Sequence, residues 1–357
     1  MRSTALRLLE NDPPTILSVA TALPDFRLDQ REVASVALRI FDRERSEIDR
    51  LMPVFENAGI SARHSCVPFE WYGEPHGWKE RNALYLEHAM RLLQDAASRA
   101  LDQAGRKPSD IAGIVAVSTT GIATPSLDAR MINALGLPAD VQRLPIFGLG
   151  CAGGVVGLGH AASMARQIEH GDVLFLAVEL CSLTFRRDDM SKSNIVGSAL
   201  FGDGAAAIVI GRPGSCGVRF GPAGVHTWHD SLDVMGWHVE DDSLGVLFSR
   251  DIPTLVRNDM GAAAEGFLAR CGLGRSDIAG LICHPGGVKV LDALEETFGL
   301  APGTMRAARE VLREHGNMSA VTVLFVLERM LREGIAGRHL MSALGPGFSA
   351  GFQLLEA

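Results

Sequence analysis

Ser109-Asp110-Ile111-Ala112-Gly113 recurs unchanged 167 residues further on as Ser276-Asp277-Ile278-Ala279-Gly280. Each copy runs into a short apolar stretch, Ile114-Val115-Ala116-Val117-Ser118 in the first and Leu281-Ile282-Cys283-His284 in the second, that ends in small or glycine-rich residues. Such a stretch predicts a strand closed by a turn. The register persists beyond it. Cys151 maps onto Met318, which opens the helix-like run 318–331, and that run matches the one from Cys151 to about Gly171. Gly171-Asp172-Val173-Leu174-Phe175-Leu176-Ala177 then pairs with Gly337-Arg338-His339-Leu340-Met341-Ser342-Ala343 at a spacing of 166, so a single gap suffices. A chance pentapeptide would not hold register that far. The chain is therefore expected to be α/β, with two copies of an alternating strand and helix unit, each building a mostly parallel sheet covered by helices. The runs that begin at Cys151 and Met318 are rich in Ala, Val, Gly and Leu and poor in charge. Both are expected to lie buried between two stacked sheets, with their N-termini facing one cleft. The halves are assigned to residues 1–220, with the cysteine, and 221–357. Residues before about 95 read as helical decoration and loops, and those from about 212 to 255 as strands and turns between the halves.

Composition narrows the function. The chain has 357 residues, 47% hydrophobic and 21% charged, enough to bury a large core. A net charge of −8 with no basic stripe excludes a nucleic-acid partner, because a phosphate backbone demands clustered Lys and Arg. The six cysteines form no CxxC pair, so neither a zinc site nor a disulfide framework is expected, and a reducing cytoplasm fits. Leu6-Arg7-Leu8-Leu9, followed at once by Glu10 and Asn11, is too short for a signal peptide or a membrane span, and no membrane partner is expected. His226, His229 and His238 cluster loosely, but their spacing fits no metal-ligand pattern.

Cys151 sits in Gly148-Leu149-Gly150-Cys151-Ala152-Gly153-Gly154, where an apolar stretch meets a helix. At a helix N-terminus the macrodipole and the unpaired amides favour thiolate over thiol, which makes Cys151 a candidate nucleophile; the bland alternative is a small cysteine packed in a turn. A reactive cysteine needs a base and donors for a developing oxyanion. His284 ends the second strand, and Asn317 precedes the second buried helix at the position matching Gly150. Alone, His284 would read as a satisfied loop histidine and Asn317 as a helix N-cap. The duplication brings all three to one cleft.

Cys151 in its Gly-Cys-Ala-Gly-Gly turn, His284-Pro285-Gly286-Gly287, Gly316-Asn317-Met318-Ser319, Phe201-Gly202-Asp203-Gly204-Ala205-Ala206-Ala207 and Gly345-Pro346-Gly347-Phe348 together resemble the type III polyketide synthases, the chalcone synthase-like family. The resemblance implies a thiolase-like fold of two duplicated halves in an α-β-α-β-α sandwich, and a homodimer. It implies malonyl-CoA and acyl-CoA as substrates, no cofactor, and Cys151, His284 and Asn317 as the catalytic residues. Phe201 matches a gatekeeper between CoA tunnel and cavity, while Val246 stands where plant enzymes usually carry a second gatekeeper phenylalanine. Thr119, Thr120, Thr184 and Ser319 match polar or small cavity positions, and Trp237 stands where plant enzymes carry glycine. Thr124 matches a position that reaches across the dimer interface. CoA contacts fall to Gly286, Gly287 and Arg63, the one clearly basic residue of the segment 57–64 in which relatives bind phosphate. The stretches 179–185 and Met235-Gly236-Trp237, with Trp71-Tyr72 and Glu74, resemble the bacterial branch that makes alkylresorcinols and alkylpyrones from long fatty acyl starters. Rival readings are a β-ketoacyl-ACP synthase III-like enzyme that stops after one extension, a CoA thioester hydrolase, and a non-catalytic scaffold.

Overall fold

The structure, a computed structural model, describes residues 12–40, 53–249 and 251–357; the stretch Leu6 to Asn11 lies outside them. The strands are β1 (Thr15–Ala22), β2 (Phe26–Asp29), β3 (Ala62–Ser65), β4 (Ile111–Val117), β5 (Gln142–Ile146), β6 (Asp172–Leu180), β7 (Asp203–Gly211), β8 (Val218–Thr227), β9 (Met235–Val239), β10 (Leu244–Phe248), β11 (Gly280–Cys283), β12 (Arg338–Gly345) and β13 (Ser349–Glu356). The helices that matter here are α1 (Gln30–Ile40), α2 (Trp78–Ala104), α3 (Leu127–Leu135), α4 (Gly153–Gln167), α5 (Lys192–Leu200), α6 (Gly261–Arg270), α7 (Val288–Thr297), α8 (Arg306–His315) and α9 (Thr322–Glu333).

Nine strands form one hydrogen-bonded sheet in the order β11-β12-β13-β8-β1-β7-β6-β4-β5. Apart from β5, the order reads as a palindrome about the β8–β1 contact, the signature of a duplicated unit. β4, α4, β6 and β7 of one half answer to β11, α9, β12 and β13 of the other. The two half-sheets join through Thr15 opposite Arg219 and Ile16 opposite Val218, with the Phe220 amide donating to the Pro14 carbonyl at 2.9 Å. They fold over the central helices: α4 touches β4 and β6 of one half and β12 and β13 of the other, while α9 touches β1, β7 and β11. The expected layering of helices and sheets is present. Gly154 lets α4 approach the turn before α9 closely, since a methyl group there would collide with the Ala320 carbonyl oxygen.

Two expectations are corrected. The sheet is mixed, parallel only at β5-β4-β6 and β11-β12, because β7 and β13 return beside their neighbours antiparallel. The expectation that residues before 95 are helical decoration and loops fails for β1, a central strand and the counterpart of β8, so the repeat is wider than the sequence showed. α2 is the helix expected in this region, but it is part of the core, covering the outer face of β1, β6 and β7. The assigned boundary at residue 220 falls within β8.

Side-chain alternation explains the layers. Along β6, Val173, Phe175 and Ala177 pack with α4, whereas Leu174, Leu176 and Val178 pack with Leu92, Leu93, Ala96 and Ala97 of α2. Both faces are covered, so the strand reads as a continuous apolar run rather than an alternating one. Each fully buried Val, Leu or Phe contributes about 1.5–3 kcal/mol. This core fixes the ends of β6, β11 and β12 and the starts of α4 and α9 around one cleft.

Candidate active site

Cys151 occupies the single turn Gly150–Ala152 that leads into α4, and Gly150 adopts φ 47° to make the bend. His284 follows β11 directly, its amide donating to the Ser342 carbonyl of β12 at 2.9 Å. Asn317 lies between α8 and the turn Ser319–Val321; its amide donates to the Leu200 carbonyl (2.8 Å) and its carbonyl accepts from the Gly202 amide (3.0 Å). One cavity of about 1020 Å³ is lined by all three, with Gly286, Gly287, Leu344 and Met235 among its other walls. The duplication reading of the sequence is met where it matters most: the two halves bring thiol, imidazole and carboxamide to one space.

The carboxamide is oriented by its neighbours. Asn317 Oδ1 accepts from the Ser319 amide at 2.8 Å, which turns Nδ2 the other way, towards the Gly286 carbonyl at 3.2 Å. An amide nitrogen carries two donors, so one N–H remains for a ligand. Ser319 has φ 47°, a conformation that costs a non-glycine residue about 1–3 kcal/mol unless its surroundings hold it. Asn317 is the holder. The held serine places Oγ 3.6 Å from Cys151 Sγ, where the thiol donates to it.

Burial dominates the electrostatics. Cys151, His284 and Asn317 are 7%, 5% and 2% exposed. Desolvation pushes the Cys151 thiol up to about 12 and the His284 imidazole down to about 4. Burial thus opposes the thiolate that the helix start favours. Neither ring nitrogen of His284 has a hydrogen-bond partner among the described residues. A buried imidazole left without partners is free to take the thiol proton when a substrate arrives.

The other expected site residues divide. Thr184, Phe201 and Val246 line a second, smaller cavity of about 60 Å³, beside apolar Val33, Val36 and Ala37 of α1. Trp237 stands 6.1 Å from the Phe201 ring and buttresses it. Thr119 and Thr120 turn away from both cavities to hold Glu179: Thr119 donates from its amide (3.0 Å) and hydroxyl (2.7 Å), Thr120 from its hydroxyl (2.8 Å). Gly286 and Gly287 line the large cavity. Thr124 is exposed, next to Ala123 and Ile122. Arg63 is a correction. It is buried and donates to the carbonyls of Ser198 (2.7 Å), Ala199 (2.7 Å) and Phe201 (3.0 Å), and to the Gln30 side chain. It therefore caps the C-terminal end of α5, where a cation meets the helix's unpaired carbonyls, and is not available to phosphate.

Two family descriptions match this chain: chalcone and stilbene synthases, N-terminal domain, over residues 3–213, and C-terminal domain, over 227–354. The chain belongs to the chalcone and stilbene synthase family. A putative chalcone synthase of Bacillus subtilis (strain 168) is 39% identical over 351 residues, 94% of this chain and 96% of that protein. A 1,3,6,8-tetrahydroxynaphthalene synthase of Streptomyces peucetius subsp. caesius is 37% identical over 350 residues, 96% of this chain and 93% of that protein. Among solved structures, the tetrahydroxynaphthalene synthase of Streptomyces coelicolor A3(2), a bacterial type III polyketide synthase, superposes with a TM-score of 0.90 at 29% identity over 96% of this chain and 98% of that one. This chalcone synthase relative has the thiolase-like fold and is a type III polyketide synthase, an acyltransferase.

Glu179 escaped the sequence reading. A lone acid inside the apolar run Leu174 to Leu180 was the available signal. Burial raises its carboxyl to about 7, against the hydrogen bonds from Thr119 and Thr120, and its charge raises the Cys151 thiol further. His315, two residues before Asn317, is pushed down to about 4 by burial and by His64, whose ring lies 5.9 Å away. Its folded value lies below the unfolded one, so its neutral form stabilises the fold fully above about pH 6.5, and that stability is lost as pH falls towards 4. Raised Glu179 acts with the opposite sign, so wild-type melting alone does not isolate the histidine. The Tm of wild type relative to His315→Gln is expected to fall between pH 7 and pH 4.5; a difference that stays constant contradicts this assignment.

Proposed function

We propose that this synthase condenses malonyl-CoA extenders onto a long-chain fatty acyl-CoA starter and cyclises the product to an alkylpyrone or alkylresorcinol. The observation that carries the chemistry is the meeting of Cys151, His284 and Asn317 in one cavity. Cys151 gives its proton to His284, and the thiolate attacks the starter thioester. The tetrahedral intermediate collapses to acyl-Cys151, and CoA leaves with the proton from the imidazolium. Malonyl-CoA then loses carbon dioxide. The enolate oxygen takes hydrogen bonds from the neutral His284 N–H and the free N–H of Asn317, which gain more from the charged oxygen than from a carbonyl. The enolate carbon attacks the acyl-Cys151 carbonyl and releases the thiolate with a chain two carbons longer. Loading and extension balance in this scheme: the proton taken from Cys151 leaves with CoA, and the charge left by decarboxylation returns to the thiolate.

The fatty starter is supported by the apolar space beside α1. Val246 stands there in place of a larger gate, beside Phe201 and Thr184, and the space of about 60 Å³ would have to widen to take a long alkyl chain. The setting is the cytoplasm, where CoA thioesters are made. Among the described residues no helix is long and apolar enough to cross a membrane. We also propose a homodimer. β5 has one neighbour, β4, and Phe147 directly after it and Ile122 in the loop after β4 are 62% and 54% exposed. An uncovered edge with apolar side chains calls for a partner.

The test is incubation of the purified protein with radiolabelled malonyl-CoA, alone and with a panel of short, aromatic and long-chain acyl-CoAs, with products read by mass. Several two-carbon additions to a long starter support the reading, and the active species should sediment as a dimer. Products from malonyl-CoA alone would overturn the fatty starter. One addition points to a single-condensation enzyme, free acid to a hydrolase, and no turnover to a scaffold.

A further inference from the structure

We infer that Lys192 and Lys289 hold the phosphate groups of the CoA thioester at the mouth of the large cavity, a role that rests on the synthase reading above. The segment 57–64 does not supply them: Arg63 is spent on the end of α5, and burial keeps His64 neutral. The cavity's charged lining residues, among the described residues, are Lys192 and Lys289 alone, and no Asp or Glu lines it. In a chain of net charge −8, two lysines and no acid among the described lining residues are a local reversal of sign.

Position fits the ligand. Both lysines are exposed, whereas Cys151, His284 and Asn317 on the same cavity wall are buried, so the cavity runs from a cationic rim to the reacting thiol. A CoA thioester has the same polarity, with phosphates at one end and the acyl sulfur at the other. Lys192 is the first residue of α5 and Lys289 the second of α7, so each ammonium adds to the positive end of a helix. Neither lysine has an ion-pair partner among the described residues. Lysine suits the task, as a point charge on a flexible stem that binds phosphate without fixed geometry. The two line one cavity from different halves of the chain, Lys192 on α5 and Lys289 on α7.

The experiment compares malonyl-CoA with malonyl-pantetheine, which carries the thioester but no phosphate, in wild type, Lys192→Ala/Lys289→Ala and Lys192→Glu/Lys289→Glu. The double alanine variant is expected to raise KM for malonyl-CoA about tenfold, and the double glutamate variant further, with the change on KM rather than kcat. KM for malonyl-pantetheine should not move. Added salt should raise the wild-type KM for malonyl-CoA more than that of the alanine variant. An unchanged KM for malonyl-CoA, or an equal rise for both thioesters, overturns the lysine assignment while the synthase stands. Wild type that turns over neither thioester overturns the synthase reading, and the lysine assignment with it.

Discussion

Cys151→Ala is expected to lower polyketide formation by about 10⁴-fold or more while malonyl-CoA decarboxylation continues at a measurable rate. The two activities separate because they use different groups. Condensation needs a covalent acyl carrier, and no other thiol in the large cavity supplies one: Cys181 lines the neighbouring space, and Cys283 is committed to a contact with the Ser342 hydroxyl at 3.3 Å. Decarboxylation needs donors for the enolate oxygen, and both His284 and Asn317 remain. The substitution is small and removes only the weak thiol contact to Ser319, so the Asn317 and Ser319 turn should hold. Release of labelled carbon dioxide and mass analysis of products, run on one preparation, give the two readouts. Loss of both activities would mean that the thiol also serves the decarboxylation step, and retained condensation would remove Cys151 from its proposed role.

The catalytic trio was legible because duplication is a sequence-level fact with a spatial consequence. If two copies of one unit share a dyad, residues at matching ends must meet, and Gly150 and Asn317 occupy such ends. The same logic failed for β1, whose Thr15-Ile16-Leu17-Ser18-Val19-Ala20-Thr21-Ala22 shares no residue pattern with its counterpart β8, so only pairing geometry exposes the match. Arg63 misled because a basic residue in a polar segment looks solvated. Its burial follows from the exposed carbonyls at the end of α5, a demand made by residues more than a hundred positions away. Lys192 and Lys289 were silent for a related reason. Each lies in the first turn of a helix in an unremarkable run, and only the cavity reveals that no acid is among its described lining residues. Local chemistry is written in local sequence, whereas sign and solvent exposure are properties of the assembled surface.

Asn317→Asp is expected to lower kcat for decarboxylation and condensation by about 10²–10³, the usual cost of losing one oxyanion donor, with a much smaller change in KM for malonyl-CoA. The replacement is chosen for what it keeps. A carboxylate oxygen still accepts from the Ser319 amide, so the residue held at φ 47° and the position of Cys151 beside it are preserved. What it loses is the N–H of Nδ2 that the Gly286 carbonyl leaves free, and what it adds is negative charge beside that carbonyl and the nascent enolate. Both effects fall on the transition state, because only there does the substrate oxygen become anionic. Protonation restores a donor to the aspartate, so the variant's activity should recover in part as pH falls through the titration of that buried carboxyl, a profile wild type lacks. Asn317→Ala makes the complementary case. It removes the donor and the clamp on Ser319 together, so its Tm should drop where that of the aspartate variant does not. If Asn317→Asp keeps near wild-type kcat, the carboxamide is not a donor to the reacting oxygen and serves only to hold Ser319. A melting point lowered as far as in Asn317→Ala would instead show that the aspartate has lost the turn, and with it the arrangement that sets Cys151 opposite His284.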